Sequence, residues 1–166
     1  MKVLQLGKFY PVRGGVEKVM YDLFEGLNAE GIHCDMLCAR IEEGTPECVP
    51  SAGSGRLVAV KALAKLAGTM IAPSMPRRLR RLVREENYDL IHVHHPDPMA
   101  ALSLLLSGYK GKVVLHWHSD ILSQKFFLAF YKPLQNWLIR RADLILGTTP
   151  VYVEQSPHLA AARASH

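Results

Sequence analysis

Five of the eight histidines of this 166-residue chain lie between residues 92 and 118, where two short apolar segments end. His92, His94 and His95 close the first segment, and His116 and His118 close the second. Residues two apart on a strand point to the same side of a sheet, so His92 and His94 share a face. Imidazole can ligate a metal, exchange a proton or hydrogen-bond to a substrate. We therefore expect a functional site where these two segments end.

The second histidine group leaves two chemical interpretations open. His116, His118 and Asp120 are imidazole and carboxylate groups, which are ordinary ligands of transition metals. Asp120 follows one residue too early for the HxHxxD spacing of metallohydrolases, so we favour no metal site. In the alternative, His118 and Asp120 are polar contacts to a substrate or its leaving group. His92 and His94 lie inside an apolar segment, and we expect them to be packed in the core.

Glycines mark a second candidate site, after the first apolar segment. Gly14 and Gly15 precede a helical pattern that begins at Val16. Backbone amides without side chains at the positive end of a helix make a seat for a phosphate group. The segment matches neither the dinucleotide fingerprint nor the phosphate loop that ends in Gly-Lys-Ser/Thr. A tight turn would use the same two glycines, so both interpretations remain open.

Most of the positive charge lies in one stretch of the chain. The formal net charge is +5, and residues 51–86 contain eight basic and two acidic side chains. The densest part of this stretch contributes Arg77, Arg78, Arg80, Arg81 and Arg84. Such a cluster can bind anionic lipid, nucleic acid or an acidic substrate, or can be a solvated helix face. Nucleic acid is disfavoured because no aromatic platform or known reading motif accompanies the arginines.

The overall composition predicts one globular domain in a reducing compartment. The chain is 49% hydrophobic and 21% charged, and its length is that of about one domain. Its three cysteines are an odd number, which argues against a disulfide framework. No apolar run approaches the roughly 18–20 residues of a membrane span, and residues 1–8 do not form a signal peptide. We expect a cytoplasmic protein.

Apolar runs and helical patterns alternate along the chain. The predicted strands are Lys2–Gly7, Cys34–Ala39, Leu57–Val60, Asp89–His94, Lys112–Trp117 and Asp143–Gly147. The predicted helices are Val16–Leu27, residues 61–72 and 77–87, Met99–Leu106 and Ile121–Arg141, and residues 40–56 are predicted as a loop. Strands that alternate with helices predict a doubly wound α/β domain with a mostly parallel sheet. Ligands then bind beyond the carboxyl ends of the strands.

Four segments carry a family resemblance, in order and with matching spacing. They are Tyr10-Pro11 with Gly14-Gly15-Val16-Glu17, Tyr88–His94, Val113–Asp120 and Arg141–Thr149. The chain resembles the N-terminal domain of retaining glycosyltransferases of the GT-B fold, in glycosyltransferase family 4. The resemblance implies a Rossmann-like three-layer domain over residues 1–155. It also implies that residues 156–166 begin a linker to an absent donor-binding domain, and that the chain alone is inactive.

The resemblance implies a role for each candidate residue. Gly14 and Gly15 would lie over the diphosphate of the donor, and His118 would contact the donor sugar and the acceptor near the reacting centre. Asp120 would orient His118 or accept a hydrogen bond from an acceptor hydroxyl. The remaining cleft and acceptor residues would be Tyr10, His95, Thr148 and Thr149. No metal or other cofactor is expected.

The implied partners are a nucleotide-sugar donor and a glycan or lipid-linked acceptor, in the assembly of lipopolysaccharide or another cell-surface polysaccharide. Because members of the resembled family commonly act on lipid-linked acceptors, the arginine stretch with Lys61 and Lys65 becomes a candidate for contact with anionic lipid on the inner face of the plasma membrane. Aromatic side chains that could add apolar contact, or pack in the core instead, are Phe126, Phe127, Phe130 and Tyr131. The competing hypothesis is a non-catalytic membrane- or glycan-binding module with the same fold.

Overall fold

The computed structural model describes residues 1–66, 69–119 and 125–147, together with Thr149, Ser156 and Leu159, and gives the backbone without side chains for residues 125–130. The strands are β1 (Lys2–Tyr10), β2 (His33–Arg40), β3 (Cys48–Pro50), β4 (Arg56–Lys61), β5 (Ala64–Leu66), β6 (Thr69–Ile71), β7 (Leu90–His95), β8 (Lys112–Trp117) and β9 (Leu144–Gly147). The helices are α1 (Gly15–Ala29), α2 (Met75–Glu85), α3 (Pro98–Ser107) and α4 (Lys125–Arg141).

Seven strands form one sheet in the order β3-β4-β2-β1-β7-β8-β9. Every neighbouring pair in it is parallel except β3 and β4, which are antiparallel. The short strands β5 and β6 form a separate antiparallel hairpin. The order places β7 directly beside β8, so the two histidine-bearing strands are neighbours, as predicted. The mostly parallel α/β architecture is confirmed.

Helices cover the two faces of the sheet and create two cores. On one face α1 buries Met20 and Phe24 against Met36 of β2. On the other face lie α2, α3 and α4, whose core includes Leu79 and Leu37. Met36 and Leu37 are adjacent in sequence, and the alternation of side chains along a strand sends them to opposite faces. The result is the predicted three-layer arrangement.

Two helices begin at the carboxyl edge of the sheet, where a site was expected. Gly14 is the N-cap of α1 in an extended conformation, and no side chain caps that helix. Asp97 caps α3, where its Oδ1 accepts hydrogen bonds from the backbone amides of Met99 at 3.0 Å and Ala100 at 3.1 Å. Such caps satisfy amides that the helix leaves without partners. Both helix starts are thereby fixed beside the ends of β1 and β7.

Residues 61–72 correct the sequence-based prediction. They were predicted as a helix, whereas Lys61 ends β4, and Ala64–Leu66 and Thr69–Ile71 pair as the antiparallel strands β5 and β6. Leu63 and Ile71 are joined by a backbone hydrogen bond of 2.8 Å, and Met70 and Ala72 are buried in the core. The alanine, leucine and lysine of this stretch favour a helix only weakly, and packing overrides that preference.

Residues 40–56 contain a second difference from the prediction. They were predicted as a loop, but Cys48–Pro50 forms the edge strand β3, which pairs with β4. A three-residue edge strand is too short to leave a periodic signal in the sequence. All three cysteines are free, as expected for a chain without a disulfide framework. No helix in the described part of the chain is long and apolar enough to cross a membrane.

Candidate functional site

The glycine segment lies at the positive end of α1. Gly14 is the N-cap and Gly15 is the first residue of the helix. A Cβ atom at Gly15 would have no neighbour within 4 Å, so the side-chain position of this residue faces open space. A Cβ atom at Gly14 would instead meet the carboxylate of Glu17. The two glycines therefore differ, because Gly15 faces open space and Gly14 makes room for a buried acidic side chain.

Lys8 is a charged residue of this edge that the sequence reasoning missed. Its backbone has a φ of +55°, and its amide donates a hydrogen bond to Oδ2 of Asp97. Its Nζ donates to the backbone oxygen of Pro96. Burial lowers the pKa of Lys8, while the nearby carboxylates of Asp97 and Glu17 act in the opposite direction. The one available signal was its position directly after Gly7, where the first strand reaches the carboxyl edge.

Four histidines from β7 and β8 form a stack on the α1 side of the sheet. The members are His92, His94, His116 and His118, with ring centroids 4.0–5.4 Å apart between neighbours. In the pairing of the two strands, His94 lies opposite His116. The positions of β7 and β8 on the side of α2, α3 and α4 are apolar, as at Val93 and Leu115. Because side chains alternate along a strand, the histidines point to the opposite face, which α1 covers. Sequence reasoning predicted this convergence.

A chain of two hydrogen bonds runs through the histidine stack. His94 Nδ1 lies 3.0 Å from His118 Nε2, and His94 Nε2 lies 2.7 Å from Oε1 of Gln5. Gln5 and His94 are fully buried, and His118 is 8% exposed. The backbone amide of His118 also donates to the backbone oxygen of His95 at 3.2 Å. Gln5 was missed by the sequence analysis, since nothing in a single strand shows which neighbour will lie beside it.

Burial keeps the stacked histidines neutral near pH 7. It lowers the pKa of His92 to about 4 and that of His118 to about 3, with smaller contributions from the neighbouring rings. Burial also lowers the pKa of His94 and of His116 below the usual value of 6.5. The Lys8 ammonium group adds to the effect at His118. These rings can therefore offer hydrogen bonds and lone pairs without a positive charge.

Three of these rings are the metal-ligand candidates among the described residues. His94, His116 and His118 each offer a ring nitrogen, and these nitrogens lie within 4.8 Å of one another. His116 stacks on His118 with centroids 4.0 Å apart and planes 20° apart, so their nitrogen lone pairs lie in two nearly parallel planes. Tetrahedral binding instead needs lone pairs that converge on one point. As placed, His116 and His118 are therefore not both aimed at one ion, and the expectation that no metal binds stays a prediction.

His95 occupies the other face of β7. Its ring stacks on Trp117 with a centroid distance of 3.7 Å, and Nε2 of Gln135 lies 3.1 Å from its Nε2. The residue is fully buried, and its backbone oxygen supports His118. The structure thus places His95 beneath the edge, and its predicted contact with an acceptor stays a prediction.

The other predicted cleft residues are less fully described. Tyr10 ends β1 and stacks on Tyr21 at 6.0 Å, and Thr149 is exposed beyond β9. Asp120, Thr148 and the side chains of Phe126, Phe127 and Phe130 lie outside the described residues. Tyr131 is buried, which agrees with the interpretation of this aromatic as a core residue.

The arginine-rich segment forms α2, away from the histidines. Leu79 and Leu82 face the core, and Arg77, Arg80, Arg81 and Arg84 are exposed, with Arg78 partly so. Arg80 donates to the backbone oxygen of Leu106, and Arg81 pairs with Glu85. Arg77, Arg78 and Arg84 have no acidic partner among the described residues. The helix is strongly amphipathic, with one apolar and one basic face.

The sequence model of Glycosyltransferase Family 4 matches residues 13–155, which is most of the chain. The chain belongs to Glycosyltransferase Family 4. It is 30% identical to the O-antigen chain mannosyltransferase C of Escherichia coli over 96% of its own length. It is 31% identical to the D-rhamnosyltransferase WbpZ of Pseudomonas aeruginosa over 94% of its length.

The family 4 chain spans about four-tenths of the length of these relatives, 42% of the first and 40% of the second. Among solved structures it resembles the sucrose-phosphate synthase of Thermosynechococcus elongatus, with a TM-score of 0.69 and 16% identity. That likeness covers 93% of this chain and 45% of the synthase. At this identity it shows the fold alone, and the fold is the one that the resemblance implied.

Proposed function

We propose that this family 4 chain is the acceptor-side domain of a nucleotide-sugar-dependent retaining glycosyltransferase in cell-surface polysaccharide or lipopolysaccharide assembly. The observation that carries the proposal is the 30% identity, across 96% of the chain, to an O-antigen mannosyltransferase. A non-catalytic module of the same fold would not need the buried polar chain of Gln5, His94 and His118, since unpaired polar groups are costly to bury. The donor-binding domain would come from a further segment.

In the proposed reaction the bond between the anomeric carbon and the diphosphate oxygen breaks, and its electron pair leaves with the nucleoside diphosphate. The acceptor hydroxyl forms a bond to the same face of that carbon, and its proton passes to the departing diphosphate oxygen. His118, held neutral by burial, would hydrogen-bond to a sugar or acceptor hydroxyl beside the reacting carbon. Such a fixed, weakly solvated contact contributes by positioning the reactants. We propose that the transfer needs no metal ion.

The donor diphosphate would lie in front of the backbone amide of Gly15. The positive end of α1 attracts phosphate oxygens, while the buried carboxylate of Glu17 partly offsets this attraction. The ammonium group of Lys8, on β1, faces both Asp97 and Glu17. Its positive charge would offset the negative charge of these two carboxylates when the diphosphate binds nearby.

The acceptor would reach the site from a membrane surface. The basic face of α2 lies beside the β5–β6 hairpin in the chain, and that hairpin exposes Leu63 and Leu66 at 72% and 50%. Basic residues attract anionic lipid at about 1 kcal/mol each, and exposed leucines add apolar contact. We propose peripheral attachment of this face to the cytoplasmic side of the membrane, where a lipid-linked acceptor would be presented.

The test is sugar transfer by a protein that joins residues 1–166 to a family 4 donor-binding domain. His118→Ala is expected to lower kcat about 100-fold, because it removes a fixed polar contact beside the reacting carbon. The matched control is His33→Ala, since His33 is a partly exposed histidine at the opposite end of β2. Full activity of His118→Ala would remove His118 from the mechanism. Absence of transfer with every sugar nucleotide offered would overturn the proposed function.

A further inference from the structure

Gln5, His94 and His118 form a hydrogen-bonded line that crosses three strands or their ends. Gln5 belongs to the central strand β1, His94 to β7, and His118 follows the last residue of β8. The nitrogen–oxygen distance is 2.7 Å and the nitrogen–nitrogen distance is 3.0 Å, which are hydrogen-bond lengths. All three side chains are buried, so solvent does not supply alternative partners to the bonded atoms.

The proton positions along this line follow from the chemistry of its first member. An amide oxygen can only accept, so His94 Nε2 must carry the hydrogen that it donates to Oε1 of Gln5. A neutral imidazole carries one ring hydrogen, so Nδ1 of His94 is an acceptor. The partner atom, Nε2 of His118, must then be the donor of the second bond.

Both rings hold a single proton under ordinary conditions. Burial lowers the pKa of His118 to about 3 and takes the pKa of His94 well below its usual value. Besides His94, which is hydrogen-bonded to it, the charged and titratable groups facing His118 are His92, His116 and Lys8, and each of these three disfavours a second proton on this ring. The tautomer assignment therefore applies at neutral pH.

Gln5 is otherwise an unfavourable residue at its position. It is fully buried on the face of β1 that α1 covers, among apolar neighbours such as Val3 and Met36. Its amide nitrogen faces the Cys34 thiol and has no hydrogen-bond partner of ordinary geometry in the described part of the chain. An apolar side chain would avoid this cost. The glutamine does, however, accept the hydrogen bond from His94, which an apolar side chain could not do.

We infer that Gln5 and His94 are positioning residues that hold His118 as its Nε2–H tautomer and leave His118 Nδ1 as a hydrogen-bond acceptor. This inference rests on the proposed function of His118 in glycosyl transfer. Within the described residues, the hydrogen bond of the His118 ring is made by Nε2, and none involves Nδ1. It is thus the ring atom left to accept a hydrogen bond from a sugar or acceptor hydroxyl. In the opposite tautomer Nδ1 would carry the ring hydrogen and could not accept a hydrogen bond from that hydroxyl group.

The tautomer can be observed without any activity assay. Nitrogen-15 NMR of the imidazole groups in the 166-residue chain at pH 7 is expected to show His118 protonated at Nε2. Gln5→Leu removes the acceptor of the hydrogen on His94 Nε2, and His94→Leu removes the acceptor of the hydrogen on His118 Nε2. In both variants His118 should gain a population protonated at Nδ1. His94→Asn should keep the original tautomer, because its Oδ1 takes the place of Nδ1 as the acceptor. Gln135→Leu, which removes a buried glutamine bonded to His95 instead, should leave the His118 signals unchanged.

Two spectroscopic results would overturn the inference. One is a wild-type His118 protonated at Nδ1, which a reversed Gln5 amide would impose. The other is an unchanged His118 tautomer in both leucine variants. If His94→Leu does not fold, the wild-type spectrum and Gln5→Leu still decide.

The same variants in the protein joined to a donor-binding domain give the kinetic test. His94→Leu is expected to lower kcat about 10- to 100-fold, which is the usual effect of losing a residue that orients a functional group, with a smaller change in the donor KM. His94→Asn should restore most of the loss, and equal loss in both variants would overturn the positioning role. If the NMR result holds but the wild-type protein transfers no sugar, the proposed function fails and the tautomer assignment stands.

Discussion

Neutral polar side chains, rather than charged ones, make up most of this site. Burial keeps His94 and His118 uncharged, and Lys8, a cation that acts on both rings, is itself close to the carboxylates of Asp97 and Glu17. Such a surface can bind an uncharged sugar or acceptor through hydrogen bonds and needs no ion pair with it. The large charges of a diphosphate leaving group would then be met at the helix end of Gly15 and by groups of another domain.

Gly15 offers a test of the phosphate seat that does not disturb the fold. A methyl group at Gly15 meets no atom within 4 Å, and alanine is favoured over glycine inside a helix by about 0.5–1 kcal/mol. Gly15→Ala should therefore not lower the free energy of unfolding, measured by urea denaturation. In the joined protein it should raise the donor KM about tenfold, since about 1.4 kcal/mol of binding is lost when the methyl group occupies the phosphate's place.

Gly14→Ala is the matched comparison for Gly15→Ala. Its methyl group would meet the carboxylate end of the flexible Glu17 side chain, which can move aside, so it should change the free energy of unfolding little while displacing that carboxylate beside the proposed phosphate seat. An unchanged donor KM in Gly15→Ala would show that the diphosphate does not lie against this amide.

At the scale of the elements, the sequence predicted what depends on local pattern and failed where partners across space decide. The apolar runs of β1, β7 and β8 and the helical spacing of Met20 and Phe24 are local, and the structure confirms them. Residues 61–72 have helix-favouring composition but form a hairpin, because their buried members pack on the sheet. The sequence predicted His118 as a candidate because it directly follows a strand. The contact of Gln5 with His94 depends on the order of the strands in the sheet, which a single sequence does not show.

Helix α2 gives a prediction about an entire element. Replacing Arg77 and Arg84 by glutamine removes two exposed charges that have no acidic partner in the described structure. At about 1 kcal/mol per basic residue, partitioning onto phosphatidylglycerol-containing vesicles should weaken about 30-fold, as measured by sedimentation. The control variant removes Lys18 and Lys112, which are exposed lysines paired with Asp22 and Asp143. Equal weakening by the control variant, or no dependence on anionic lipid, would contradict the proposed attachment.

The folded domain carries the free-energy cost of burying neutral histidines: His92, His94 and His118 are buried, and His116 is partly buried. The face of β7 and β8 that packs against α2, α3 and α4 is apolar. On the α1 side the same strands carry a stack of imidazole rings from His92 to His118. An apolar face would give the same fold with less sensitivity to acid. The stack therefore makes sense as part of a site, and its energetic consequence should be visible in the stability of the complete chain.

That consequence is a loss of stability on mild acidification. The pKa of each stacked histidine is lower in the folded state than the usual 6.5, so below pH 6.5 the unfolded chain binds more protons. The free energy of unfolding is then fully retained above pH 6.5. It falls as the pH approaches the folded-state values of about 4 for His92 and about 3 for His118, with a slope of at most about 1.4 kcal/mol per pH unit for each histidine.

Urea unfolding of the chain at pH 7.5, 6.5 and 5.5 measures this slope before most carboxylates titrate. His92→Leu removes one buried histidine whose Nε2 has no hydrogen-bond partner in the described structure, and it lies outside the line from Gln5 to His118. The variant should lose less stability than the wild type between pH 6.5 and 5.5, by up to about 1 kcal/mol. Identical pH dependence of the two proteins would mean that His92 takes up its proton without unfolding, and that the stack is more open to water than its burial indicates.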